Sequence, residues 1–152
     1  MVRPMLPRTY EGQECSIART LEIVGDRWTL LIVRDAFLGL RRFDQFSESL
    51  GIASNVLADR LDRLVGEGIL ERVPYGDHPA RHEYRLTEKG LGLRVALIAL
   101  MQWGDDHVNE RPPRIARRKS DGARVRAALV TEDGALLRPD ELETVPRSAA
   151  LS

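Results

Sequence analysis

The chain has 152 residues, enough for one domain with a real core, and is 43% hydrophobic and 30% charged with eight aromatic residues (three Phe, three Tyr, two Trp). No apolar run approaches the roughly 20 residues of a membrane span, and the opening "MVRPMLPRTYEGQE" lacks the features of a signal peptide; a soluble, cytoplasmic, helix-rich protein is expected. Lys plus Arg balances Asp plus Glu at 23 each, which excludes a uniformly basic molecule but not a local field.

The charge is uneven along the chain. Residues 1–110 carry a net −3, residues 111–126 ("RPPRIARRKSDGARVR") a net +6, and the last 26 residues a net −3. All basic residues but Lys89 and Lys119 are arginines, whose forked donors suit phosphates and guanine edges. Cys15 is the only cysteine, so neither an intrachain disulfide nor a Cys-based zinc site staples the fold.

Residues 1–14 read as a loose polar arm. Ile17, Leu21 and Val24 recur at helical spacing over Ser16–Val24, and Gly25 ends the run. Asp26 is placed to cap a second helix, with Trp28, Leu31, Ile32 and Ala36 on one face and Gly39 closing it. A short helix follows from about Arg42 to Leu50 with Phe43, Phe46 and Leu50 inward. Gly51 turns into a longer helix whose apolar stripe is Leu57, Leu61, Leu64 and Val65, joined by Ile52 and stopped by Gly68.

"ILERVPY" reads as a strand, "GDHPAR" as a loop and "HEYRL" as the returning strand. Thr87 sits where an N-cap belongs, and the chain is expected to be helical from Glu88 to His107. "LGLRVALIALMQWG" is apolar on nearly every side, so it must bury itself against more than its own small domain, and dimerisation is the simplest reading. A basic linker over 111–126 and a small C-terminal hairpin over 127–152, turning at Glu132-Asp133-Gly134, complete the plan.

Helix, helix, short helix, turn, long helix, two-stranded hairpin, helix is the order of a winged helix-turn-helix, mainly α with a small β hairpin. In that arrangement the short helix braces the long one, whose N-terminal turns can enter a major groove. The residues then facing bases are Ser54, Asn55, Ala58 and Asp59, small or hydrogen-bonding. Asp59 and Asp62 would repel phosphates yet could accept from a cytosine amino group. Arg63 would pair with Asp59 or with a phosphate. Arg41 and Arg42 begin the bracing helix, and Arg81 is placed at the hairpin tip, within reach of a minor groove or a phosphate. Alone, the long helix reads as solvated surface; the ordered set of elements reverses that.

Cys15, the segment through "VGDRWTLLIVR", "RFDQF", "GIASNVLADRLDRLVGEGILERVPY", "HPARHEYRLTEKG" and Trp103 together resemble the HxlR-type winged-helix regulators, from about Cys15 to His107. The resemblance implies a bacterial transcription factor that pairs through its first and last helices. Each subunit would place one recognition helix on double-stranded DNA with a palindromic operator. Ser54, Asn55, Ala58 and Arg63 would fall on that helix and Arg81 on the wing. Residues 41–85 carry seven basic and eight acidic groups, less basic than the family norm. The alternative is a winged helix that binds protein and no longer reads DNA.

In similar regulators a cysteine just before the first helix senses oxidants or electrophiles, and helix N-terminal amides favour the reactive thiolate. Cys15 holds that position, followed by Ser16 where a proline is usual; the other reading is a small packing residue at the dimer interface. The C-terminal hairpin of several relatives bears cysteines suited to zinc, whereas "LVTEDGALL" has none, so no metal or cofactor is expected. The stretch from Arg114 to Lys119 would contact phosphate or serve as a solvated linker. A small-molecule inducer could sit between dimer helices near Trp28 and Trp103, aromatics that also suit a plain core. His78, His82 and Glu83, and His107 beside Asp105 and Asp106, lack a third ligand at fixed spacing. With no phosphate loop and no nucleophile–base pair, an enzyme is not expected.

Overall fold

The computed structural model describes Gly12, residues 15–77 and residues 81–149. The chain forms two compact units that divide between Leu97 and Ile98, inside a helix.

The first unit begins with α1 (Ser16–Val24), α2 (Thr29–Phe37), α3 (Phe43–Leu50) and α4 (Ser54–Gly66). An antiparallel hairpin follows, β1 (Leu70–Pro74) and β2 (His82–Leu86), with Leu70 opposite Leu86, Arg72 opposite Tyr84 and Pro74 opposite His82. Then come α5 (Glu88–Leu91) and the start of α6 (Arg94–His107). Ile32, Val33, Ala36, Phe46, Leu57, Leu61, Leu64, Ile69 and Leu70 form the core; burying each large side chain contributes about 1.5–3 kcal/mol. Phe46 meets Tyr84 edge to face, with ring centroids 6.4 Å apart.

Local signals set most boundaries. Gly68, at φ +70°, closes α4: its amide bonds the Val65 carbonyl at 3.0 Å and that of Ile69 bonds Leu64 at 2.9 Å. This is a Schellman turn, which needs the left-handed conformation glycine adopts freely, and it feeds β1 directly. Thr87 caps α5, its hydroxyl accepting from the Gly90 amide at 3.1 Å. Arg42 precedes α3 as its N-cap.

Two expectations need correction. The helix predicted from Glu88 to His107 breaks at Gly92. The Leu93 amide bonds the Gly90 carbonyl at 3.1 Å, tightening the turn as Leu93 and Leu97 reach the core. On α2 the buried face is Thr29, Ile32, Val33, Asp35 and Ala36; Trp28 and Leu31 are only half-buried, so the helix is rotated from the predicted stripe. The expected basic linker over residues 111–126 carries local contacts of its own. Arg117 bridges Arg124, Arg118 holds Asp121 through two hydrogen bonds, and the Gln102 side chain donates to the Val125 carbonyl at 2.7 Å.

The second unit contains the rest of α6, this folded basic stretch and a hairpin of β3 (Leu129–Val130) and β4 (Leu136–Leu137). Thr131 closes the hairpin, its amide on the Ala135 carbonyl at 2.9 Å, with Gly134 at φ +89° in the turn. A single 3-10 turn follows at Pro139–Glu141.

Candidate nucleic-acid interface

The first turn of α4 is set outward. Ala53, its N-cap, and Ser54 and Asn55 are exposed, as is Asp59; Ala58 is half-buried. Leu57, Leu61 and Leu64 anchor the opposite face completely, so the rotation of the helix about its axis is fixed by packing. What it offers at its N-terminal end is small and polar.

The carboxylates on this face are paired. Asp59 takes a hydrogen bond from the neighbouring Arg60, and Asp62 takes one from Arg72 on β1. Arg60 also reaches Asp26, Nε to Oδ1 3.0 Å. Arg63 does not pair with Asp59 as expected: its guanidinium donates to the main-chain carbonyl of Glu22. That carbonyl is in the last turn of α1, where acceptors lack helical partners and the dipole favours a cation.

The two arginines before α3 differ from each other. Arg41 Nη1 donates to the carbonyls of Ala36 at 2.7 Å and Leu40 at 3.0 Å, so it braces the end of α2, and its own carbonyl accepts the Tyr84 amide. Arg42 points toward the wing. Its guanidinium carbon lies 6.0 Å from the centre of the Tyr75 ring. Arg81 stands just before β2, with its carbonyl accepting the Tyr75 amide at 3.0 Å. It is therefore at the base of the wing loop; the tip, including His78, lies outside the described residues. Arg42 and Arg81 beside the Tyr75 hydroxyl hold it below the usual phenol range.

Sequence reasoning missed Tyr75, Arg60 and Arg72. The alternation that paired β1 with β2 could have placed Arg72 beside Tyr84, over whose ring it lies at 5.9 Å. Nothing local signals Arg60 with Asp26, 34 residues away.

A family model for the HxlR-like helix-turn-helix matches residues 23–112. The chain belongs to the HxlR-like helix-turn-helix family. Among its relatives is an HTH-type transcriptional regulator of Mycobacterium tuberculosis (strain ATCC 25618 / H37Rv), 52% identical over 110 residues, 71% of this chain and 68% of that one. The crystal structure of PA1607, described as a candidate transcription factor, superposes with a TM-score of 0.76 at 40% identity over 90% of this chain and 96% of that one. The redox regulator HypR in its reduced form matches with a TM-score of 0.57 at 28% identity, covering 60% of this chain and 92% of that one. The HxlR-like chain is thus a winged-helix transcriptional regulator by family, with redox regulators among its structural neighbours.

In this HxlR-like protein Cys15 lies ahead of the matched segment as the N-cap of α1. Its carbonyl accepts the Arg19 amide at 3.0 Å, and the residue is exposed in the protomer. Ile17 and Leu21 on α1 are 71% and 41% exposed, and α6 has no buried residue, with Val95 at 73% and Trp103 at 62%. Trp103 contacts His107, and Trp28 carries Arg27 over its ring. Among the described residues no helix is long and apolar enough to cross a membrane.

Proposed function

We propose that this HxlR-like regulator is a repressor that binds a palindromic operator as a homodimer, each subunit setting α4 into a major groove. The observation that carries the reading is the outward first turn of α4. Ser54, Asn55 and Asp59 are exposed on a helix whose rotation is locked by three fully buried leucines. Ser54 and Asn55 read base edges, Ala58 leaves room for close approach, and Arg42 and Arg81 contact phosphates. Arg63 and Arg41, held on main-chain carbonyls, act by fixing α4 and the end of α2.

Dimerisation is supported by apolar side chains that the protomer leaves in water on α1 and α6. Exposed apolar surface costs about 25 cal/mol per Å², and a second copy covering it gives a two-fold operator. Cys15, exposed at the N-terminus of α1, is the inducer site: its reaction with an oxidant or electrophile weakens operator binding. The presence of a redox regulator among the neighbours supports this assignment. A small-molecule inducer is the other route to relief. The basic stretch from Arg114 to Lys119 adds phosphate contacts.

The test is fluorescence anisotropy with the duplex upstream of the protein's own gene, over a salt series, with a scrambled duplex as control. A DNA reader prefers the native sequence and loses affinity steeply with salt. The arginine-paired carboxylates Asp59 and Asp62 also suit a protein partner, and a flat salt response with no sequence preference would favour that reading. Sedimentation as a monomer at micromolar concentration would overturn the palindromic dimer.

A further inference from the structure

The open end of the wing gathers three side chains from three elements. Arg42 comes from the start of α3, Tyr75 from the end of β1 and Arg81 from the approach to β2. The Tyr75 amide on the Arg81 carbonyl at 3.0 Å sets these two residues across from each other. The Arg42 guanidinium approaches the Tyr75 ring at 6.0 Å, and the two arginines beside it hold the phenol below its usual range. The carboxylate beside Arg42 is that of Asp44, 3.6 Å from Nε and 78% exposed, too solvated to neutralise it strongly.

Two guanidinium groups beside one phenol repel each other, and a single hydroxyl can accept from only a small part of the ten donors they carry. A phosphodiester supplies what the phenol lacks, namely negative charge and several acceptors in a geometry that forks can grip. We propose that Arg42, Tyr75 and Arg81 form a clamp for one backbone phosphate of duplex DNA, with Tyr75 as the residue that positions both guanidiniums. The clamp rests on the DNA-binding reading above and adds to it a residue and a stoichiometry, one phosphate per wing. It carries affinity and register rather than sequence preference.

Tyr75→Phe keeps the ring and removes the hydroxyl, and the full-length protein carries the test. Anisotropy on the upstream duplex and on a scrambled one, across salt, should show binding weaker by about three- to tenfold on both. The slope of log affinity against log salt should be shallower by about 1. Arg81→Gln should act the same way, and the double variant should fall well short of the product of the two effects, because the residues act as one unit. Thermal unfolding of Tyr75→Phe should match the wild type. Unchanged affinity and slope in Tyr75→Phe, fully multiplicative effects, or a lowered melting temperature with an unchanged slope would each overturn the clamp while leaving DNA binding intact. Wild-type protein that binds neither duplex at low salt would instead remove the DNA reading and the clamp with it.

Discussion

Arg60 Nε lies 3.0 Å from Asp26 Oδ1, joining the middle of α4 to the turn that starts α2. Asp26 also accepts the amides of Trp28 at 3.0 Å and Thr29 at 3.2 Å and the Thr29 hydroxyl. One carboxylate thus caps a helix and holds the candidate recognition helix against it. Arg63, bonded to the Glu22 carbonyl, makes a second tie from α4 to the end of α1. The candidate recognition face and the helix behind Cys15 are consequently mechanically linked.

Asp26→Ala should therefore cost about 1–3 kcal/mol, the range for a lost cap and a half-buried charged hydrogen bond together. Urea unfolding followed by circular dichroism measures it. Asp26→Asn, which keeps one carbonyl acceptor, should cost less.

The same carboxyl gives a pH signature. Burial pushes Asp26 up, but the Thr29 hydroxyl, the Trp28 amide and Arg60 outweigh it and hold the group below its ordinary 3.8. A depressed folded pKa means stability that is full above the unfolded value and lost as pH falls through the folded one. The stability gap between wild type and Asp26→Ala should be constant above about pH 5 and should shrink as pH falls through 3.8 and below. A gap that grew on acidification would contradict the assignment.

Gly90 is buried where α5 crosses the start of β1. A Cβ there would meet the Ile69 carbonyl oxygen at 2.2 Å and Leu86 Cδ2 at 3.0 Å. Gly90→Ala should cost about 1–3 kcal/mol by overpacking against backbone that cannot move aside. Chemical denaturation is the readout, and a neutral result would show that the hairpin and α5 are less tightly joined.

Asn55→Ala should separate reading from gripping. The expected loss is about 1–3 kcal/mol on the native operator, with little change on scrambled duplex and no change in salt slope. Equal losses on both duplexes would place Asn55 on a phosphate instead of a base.

Cys15→Ser should leave operator affinity intact and abolish the response to an electrophile such as diamide in a gel-shift assay. Full release of the variant by the reagent would remove Cys15 as the inducer site.

Much of this architecture was legible in the sequence because periodicity is local. Ile17, Leu21 and Val24 at helical spacing before Gly25 specify α1 at its observed bounds. Thr87 announces its own cap, and Gly68 ends α4 because few other residues adopt the required φ. The order of those elements was enough for the winged helix-turn-helix. Even so, the apolar run after Thr87 gave no warning of the break at Gly92, which depends on where the core receives Leu93 and Leu97.

The candidate interface was less legible. By itself the sequence determined which residues α4 carries and which of its faces packs. It could not assign partners to long flexible arginines, whose reach spans several turns and whose choice depends on chain segments 34 and 41 residues away. Only the tertiary structure decided that Arg63 and Arg41 serve the backbone, that Asp59 and Asp62 pair with Arg60 and Arg72, and that Arg42 lies against the Tyr75 ring. Local propensity encodes faces, whereas partnership between charges follows from how those faces are brought together.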